Sequence, residues 1–195
     1  MESKLLVSIA VGFFMWSFFD LITWLSHSSV AIMLSWMAVY FLEAMIFACS
    51  LYFTYVFINK KDVSFKMKFV IFLFLLPFIF LIPTRFGVKN FDAASCEAIQ
   101  GNFIYYLYFI EVLFSIWIIA ILIKKYKRTE KEFKKQIVYF GSGIVFFLVA
   151  FSWANIVGNI TTSWKITQYG LFGMPVFLSF LAYLIVKFKT FNILK

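Results

Sequence analysis

Twelve residues rich in lysine and arginine decide the fold, because they separate two apolar runs that are each long enough to cross a bilayer. They read Lys124-Lys125-Tyr126-Lys127-Arg128-Thr129-Glu130-Lys131-Glu132-Phe133-Lys134-Lys135. Seven of the twelve are Lys or Arg, which are costly to place in hydrocarbon and which mark cytoplasmic loops. The stretch is therefore predicted to be a cytoplasmic loop, and its side sets the side of every other loop.

The composition places the whole chain in a membrane. Hydrophobic residues make up 64%, phenylalanine alone occurs 29 times, and only 14% of residues are charged. A soluble domain has about 45–50% apolar residues, so too little polar surface is left here to cover a water-soluble globule. The net charge of +9 follows from cationic loops beside anionic lipid headgroups, and it does not indicate a nucleic-acid partner.

Six apolar runs are predicted to be transmembrane helices, because about 20 apolar residues cross a ~30 Å hydrocarbon core. They are Leu5–Leu25, Val30–Ile58, Phe69–Ile82, Phe103–Ile123, Ile137–Val157 and Gly170–Val186. The predicted fold is thus an all-α bundle of six transmembrane helices that forms one domain over residues 1–195. The bilayer is its first partner.

Lysine and arginine are distributed unequally between the two sides of these spans. Fifteen of the 18 fall on the side of the basic stretch, and only Arg85, Lys89 and Lys165 fall on the other. The excess marks the cytoplasmic side. Both termini are therefore predicted to be cytoplasmic, with outer loops at 27–29, 83–102 and 158–168.

The candidate site rests on three carboxylates that lie inside predicted spans. Ionisable residues in a span are expensive and usually face the bundle interior, where they mark function. Helical spacing places aromatic or amide side chains on the same faces as these acids. The predicted ligand-binding residues are Asp20, Glu43, Glu111, Asn155, Trp16 and Tyr108. The alternative is that each acid is protonated, or bonded to a neighbouring helix, and only joins the helices.

No catalytic, metal or cofactor site is predicted. His27 is the only histidine and lies at the end of a span with no local Ser or Asp partner. Cys49 and Cys96 have no Cys-x-x-Cys spacing and lie at different predicted depths, so two free thiols are expected. We therefore expect a protein that is not an enzyme by itself.

Four segments resemble a known family. The segment Glu132–Gln136, at the end of the basic stretch, is similar to a loop of bacterial seven-transmembrane histidine-kinase sensor regions. That loop is the cytoplasmic one before the sixth helix of the family. The segments Tyr169–Phe172 and Ala182–Ile193 look like that family's last helix and its exit towards the kinase, and Trp36–Asn59 looks like its third helix. Six spans are predicted instead of seven, and the expectation is a sensor region without a kinase domain among residues 1–195.

The resemblance implies a sensory input module in the inner (plasma) membrane of a bacterium. It also implies a cytoplasmic kinase or another output protein as partner, whether joined to this chain or separate. The second possibility is a small six-helix substrate-binding or transport subunit for a small molecule or ion, which intramembrane acids fit equally well. The ligand, the output pathway and homodimer formation are left open by the sequence.

Overall fold

The computed structural model of the chain describes residues 2–93, 96–161 and 168–188, and these are mainly helical. The helices are α1 (Glu2–Leu25), α2 (Ser29–Asn59), α3 (Phe65–Leu81), α4 (Ile104–Lys127), α5 (Lys131–Thr161) and α6 (Gly173–Phe188), with a 3-10 helix at Gln168–Phe172. Two short strands, β1 (Val88–Asp92) and β2 (Glu97–Gln100), lie between α3 and α4 in sequence. The helical class is as predicted, and the small sheet was not predicted.

Five helical stretches of the described residues are long and apolar enough to cross a membrane, as expected of a multi-pass membrane protein. They are Glu2–Leu25, Ser29–Asn59, Ile104–Lys127, Lys131–Val157 and Tyr169–Phe188. Helix α3 is also strongly apolar, but its 17 residues extend only about 25 Å, which is the lower limit for a span. It begins four residues before the predicted start at Phe69.

Large apolar side chains are exposed on the outside of these helices. Phe14 is 67% exposed, Phe65 81% and Val186 82%. Water would oppose such a surface, at about 25 cal/mol for each Å² of exposed apolar area, whereas hydrocarbon accepts it. The exposed apolar surface therefore supports the membrane assignment independently of helix length.

Two predicted segments extend beyond the described residues. The outer loop at 158–168 includes residues 162–167, and the exit segment Ala182–Ile193 includes residues 189–193, all of which lie outside the described part. Within the described part, α5 continues to Thr161, past the predicted end at Val157.

The basic stretch is mostly helical, which corrects its prediction as a loop. Helix α4 continues to Lys127 and α5 begins at Lys131, so only residues 128–130 connect them. Three lysines occupy the last turn of α4, and Glu132 lies in the first turn of α5. These charges stabilise the two helix ends through the helix dipole, and hydropathy alone does not detect that effect.

The chain divides into two compact units, which are described separately. The hairpin unit comprises Leu6–Cys49 and Val63–Ile110. The basic-loop unit comprises the described residues of Met1–Leu5, Ser50–Asp62 and Glu111–Lys195. Helices α2 and α4 contribute residues to both units.

Serines close the connection between α1 and α2 in the hairpin unit. The Ser26 backbone N–H donates to the Ile22 carbonyl at 3.0 Å, and the Ser28 N–H donates to the Ser26 hydroxyl oxygen at 3.1 Å. The Ile32 N–H then donates to the Ser28 carbonyl at 3.0 Å, which begins α2. Because these bonds satisfy groups that helix ends leave open, residues 26–28 suffice to reverse the chain.

The two strands form an antiparallel hairpin within the predicted outer loop. Phe91 lies opposite Ala98 in the register. At the base, the Gly101 N–H donates to the Gly87 carbonyl at 2.8 Å. A Cβ atom on Gly101 would overlap the backbone carbonyl of Phe86. Glycine is therefore required where the two backbones meet at the base of the hairpin.

In the basic-loop unit, α5 packs against α6 through glycines and phenylalanines. The Phe147 and Phe177 rings stack with centroids 5.5 Å apart. A Cβ atom on Gly143 would lie 2.8 Å from the Phe180 Cβ, and one on Gly173 would lie 3.0 Å from the Ala150 Cβ. The small residues thus allow close helix approach.

The end of α2 is held by aromatic rings and an ion pair in the same unit. The Phe57 ring stacks on Phe140 with centroids 4.0 Å apart. Lys60 follows the helix with a φ of 53°, its Nζ lies 4.5 Å from the Phe57 ring centroid, and it donates to Glu2 Oε1 at 2.9 Å. These contacts offset the cost of a left-handed non-glycine residue and join the first turn of α1 to the end of α2.

Candidate functional site

The six predicted site residues fall into two sets, one in each unit. Trp16, Asp20, Glu43 and Tyr108 belong to the hairpin unit, whereas Glu111 and Asn155 belong to the basic-loop unit. Each set is described by itself, and a pocket shared by all six stays a prediction.

A buried polar cluster surrounds Tyr40 in the hairpin unit. Tyr40 and Glu43 on α2 are each 2% exposed, and Glu43 and Tyr108 both act electrostatically on the Tyr40 hydroxyl. The Trp36 ring packs edge-on against Tyr40, with centroids 5.6 Å apart. We call Tyr40, Glu43 and Tyr108 the tyrosine–glutamate cluster. Its members come from α2 and α4.

The Tyr40 hydroxyl has no hydrogen-bond partner among the residues that the structure describes. A buried hydroxyl without a partner costs about 1–3 kcal/mol. A bound molecule or ion with a suitable polar atom would remove that cost, and the nearby Glu43 carboxyl would act as an acceptor or a negative charge. The cluster therefore offers groups that suit a small polar ligand or a cation.

Tyr40 was not among the predicted site residues, although its position was readable from the sequence. Trp36, Tyr40 and Glu43 lie on one face of a helix by their spacing. Spacing alone does not mark the Tyr40 hydroxyl as a site group, because a hydroxyl without a partner can be recognised only once its neighbours are known.

Asp20 and Trp16 lie on α1 in the same unit. The half-buried Asp20 carboxylate accepts a hydrogen bond from Trp24, one turn further along the helix. Trp16 is buried and stacks on Phe13, with ring centroids 6.0 Å apart. The hydrogen bond from Trp24 stabilises the Asp20 carboxylate within its own helix.

Glu111 and Ser152 join α4 to α5 in the basic-loop unit. The Ser152 hydroxyl donates to Glu111 Oε2 at 2.5 Å, and the Glu111 side chain is fully buried. Asn155, which is half-buried, lies almost one turn beyond Ser152 on α5. The bond fits the alternative in which a buried acid joins two helices.

The site chemistry is limited to carboxyl, hydroxyl, amide and indole groups. Within residues 2–93, 96–161 and 168–188, no three His, Cys, Asp or Glu side chains converge in a way that would hold a metal ion. Cys49 and Cys96 are both free thiols, as predicted.

The comparisons with known proteins identify no relative. No family model, no curated protein and no solved structure matches the chain. The similarity to histidine-kinase sensor regions therefore stays a prediction, and the argument for function rests on the described residues.

Proposed function

We propose that this chain is a membrane-embedded sensory input module, without enzymatic activity of its own, that responds to a small polar ligand or cation. The observation that carries the proposal is the buried Tyr40 hydroxyl without a partner among the described residues, next to the buried Glu43. Polar and ionisable groups inside spans are costly, and they persist where they serve a function.

The proposal includes a topology of six spans with both termini in the cytoplasm. Helix α3 is counted as the sixth span because a tilt-free helix of its length reaches the lower limit for crossing hydrocarbon. The unequal distribution of Lys and Arg supports the orientation. The proposed location is the inner membrane of a bacterium, and the proposed partner is a cytoplasmic kinase or another output protein.

The proposed response uses the two helices that carry the tyrosine–glutamate cluster. Helix α2 continues without a break to Asn59, and α4 continues to Lys127 at the basic stretch. A ligand that binds two arrangements of these helices with unequal affinity shifts their populations, and a tenfold preference is worth about 1.4 kcal/mol. A change at the cluster can thus alter the cytoplasmic connection at residues 128–130.

A fluorescent reporter on that connection tests the proposal. The two native thiols are replaced by serine, Glu130→Cys is labelled with an environment-sensitive dye, and the protein is placed in lipid nanodiscs. The probes are Na⁺, K⁺, ammonium and a set of primary amines and alcohols, chosen because each can pair with a carboxyl or a phenol oxygen. We expect at least one probe to shift the dye emission.

Two site variants and one matched control complete the test. Tyr40→Phe and Glu43→Gln should each weaken the response about tenfold or more, since they remove a polar partner of the ligand. Tyr105→Phe removes the same hydroxyl from a side chain that is 72% exposed, and it should leave the response unchanged. The proposal fails if no probe shifts the emission of the dye-labelled Glu130→Cys protein. It also fails if adding Tyr40→Phe to that protein leaves the response unchanged.

Reconstitution of the same labelled protein in vesicles separates sensing from transport. In sealed vesicles, a sensory module changes the dye emission without accumulating the probe inside. Accumulation that Tyr40→Phe abolishes would replace the sensory proposal with the transport alternative.

A further inference from the structure

A cavity of about 500 Å³ lies between the last turns of α2 and α4 in the basic-loop unit. Its polar lining residues are Tyr55, Asn59, Trp117, Lys124, Lys125 and Arg128. The volume is within the range of small-molecule sites, which is about 300–1,000 Å³. The cavity lies apart from the tyrosine–glutamate cluster in sequence, and it does not depend on the function proposed above.

The cavity is strongly cationic. Three of its lining residues are Lys or Arg, and no Asp or Glu lines it. None of the three cations forms an ion pair with a described carboxylate, whereas the neighbouring Lys60 is paired with Glu2. Tyr55, Asn59 and Trp117 add hydroxyl, amide and indole donors. Such a set favours an anion with several acceptor oxygens.

The lining residues are ordered by depth along α4. Trp117 and Ile121 come before Lys124, and Arg128 follows the end of the helix. At 1.5 Å per residue, Trp117 lies about 10 Å deeper than Lys124. Tryptophan is typical of the membrane interface, and Lys and Arg reach from there to the headgroups. The cavity therefore has an apolar, aromatic wall below a cationic rim.

We propose that this cavity binds the headgroup of an anionic phospholipid, with the lipid phosphate at Lys124, Lys125 and Arg128 and the upper acyl chains against Trp117 and Ile121. The cationic rim matches the charge of a phosphodiester, and guanidinium can bond two of its oxygens at once. The apolar wall distinguishes a lipid from a water-soluble phosphate, which has nothing to place there. Basic cavities between transmembrane helices are a recurrent form of lipid recognition.

Quenching of Trp117 by brominated lipids tests the proposal. The protein is reconstituted in phosphatidylcholine vesicles that contain, as a minor component, either brominated phosphatidylglycerol or brominated phosphatidylcholine. The signal of Trp117 is the difference between the wild type and Trp117→Phe. We expect phosphatidylglycerol to be preferred over phosphatidylcholine at Trp117 by about tenfold or more, since each basic residue near the surface contributes several-fold.

Adjacent residues supply a matched control. Arg128→Gln removes a charge from the rim, and it should reduce the preference about fivefold. Lys127→Gln removes the same charge one residue away, from a side chain that lines a different, mostly apolar cavity, and it should reduce the preference clearly less than Arg128→Gln does. Arg128→Lys keeps the charge and should retain most of the preference, which guards against a misfolded glutamine variant.

Three results would overturn the proposal. Equal quenching by the two lipids would show that no anionic site is present. An equal loss in Lys127→Gln and Arg128→Gln would show that diffuse charge, and not this cavity, attracts the lipid. Relief of quenching by inorganic phosphate or glycerophosphoglycerol at millimolar concentration would show that the site takes a soluble phosphate.

Discussion

The Ser152 hydroxyl donates a 2.5 Å hydrogen bond to the Glu111 carboxylate and so joins α5 to α4 at a position buried from solvent. In the membrane, a serine or glutamate that lost this bond would find another protein partner and not water. The net contribution of the bond is therefore its advantage over those other bonds. Interhelical hydrogen bonds measured in that way average about 0.6 kcal/mol. The bond therefore gives a modest stabilisation and a defined pairing of two helices.

A double-mutant cycle measures this bond directly. Ser152→Ala should lower the free energy of unfolding by about 1 kcal/mol, because the carboxyl loses its donor while it stays buried. Combined with Glu111→Leu, the coupling energy should be about 0.6 kcal/mol. Reversible unfolding in mixed micelles gives the four values, and strictly additive effects would contradict a direct bond.

Two further changes at Glu111 separate a structural role from a role in ligand response. Glu111→Gln keeps the size and a carbonyl acceptor for Ser152 but cannot ionise, so it should leave stability nearly unchanged. Glu111→Leu leaves the Ser152 hydroxyl without this acceptor and should cost about 1–3 kcal/mol. If Glu111 belongs to the ligand site, Glu111→Gln loses the dye response; a responsive Gln variant with an unstable Leu variant assigns Glu111 to helix pairing alone.

Two buried or half-buried tyrosines of the hairpin unit should respond in opposite ways to loss of the hydroxyl. The Tyr106 hydroxyl donates to the Phe74 carbonyl at 3.0 Å, whereas the Tyr40 hydroxyl has no such partner among the described residues. Tyr106→Phe should therefore destabilise the protein by about 1 kcal/mol, and Tyr40→Phe should be neutral or stabilising. Thermal unfolding in detergent compares the two variants, and a large loss in Tyr40→Phe would reveal a structural role for its hydroxyl.

Apolar run length was enough to predict most of the fold. The bilayer demands about 20 apolar residues in a helix, and the predicted Leu5–Leu25 and Phe103–Ile123 agree with α1 and α4 to within a few residues at most ends. The same reasoning placed the end of α4 too early and the start of α5 too late, since Lys127 and Lys131 are charged but still lie in helices. Hydropathy shows which residues suit hydrocarbon, and it does not show where a helix begins or ends.

The site was predicted less well because it depends on contacts between elements. Spacing placed Glu111 and Ser152 on polar faces of their helices, but only the fold shows that these faces meet. The β-hairpin was missed for the same reason, since its base depends on the close approach of Gly87 and Gly101. A helical period carries the orientation of a residue but not the identity of its neighbour.

Two helical glycines should differ in their tolerance of alanine. A Cβ on Gly143 would lie 2.8 Å from the Phe180 Cβ, whereas one on Gly12 would lie 3.4 Å from the Ile46 Cγ1, an ordinary contact. Gly143→Ala should therefore cost about 1–3 kcal/mol through overpacking. Gly12→Ala should be neutral or stabilise by up to about 1 kcal/mol, because alanine favours the helix. Melting curves of both variants test this, and equal effects would contradict the α5–α6 packing.

The proposed topology can be tested with a native thiol. Cys96 is exposed at the turn of the hairpin, and Glu130 is exposed in the connection between α4 and α5. With Cys49 replaced by serine, a membrane-impermeant maleimide should label Cys96 on intact cells. In a Cys96→Ser background, Glu130→Cys should react only after permeabilisation, because the excess of Lys and Arg holds that connection in the cytoplasm. The reverse pattern would place the hairpin inside the cell. Labelling of both thiols on intact cells would show that α4, the one helix between them, does not cross the membrane.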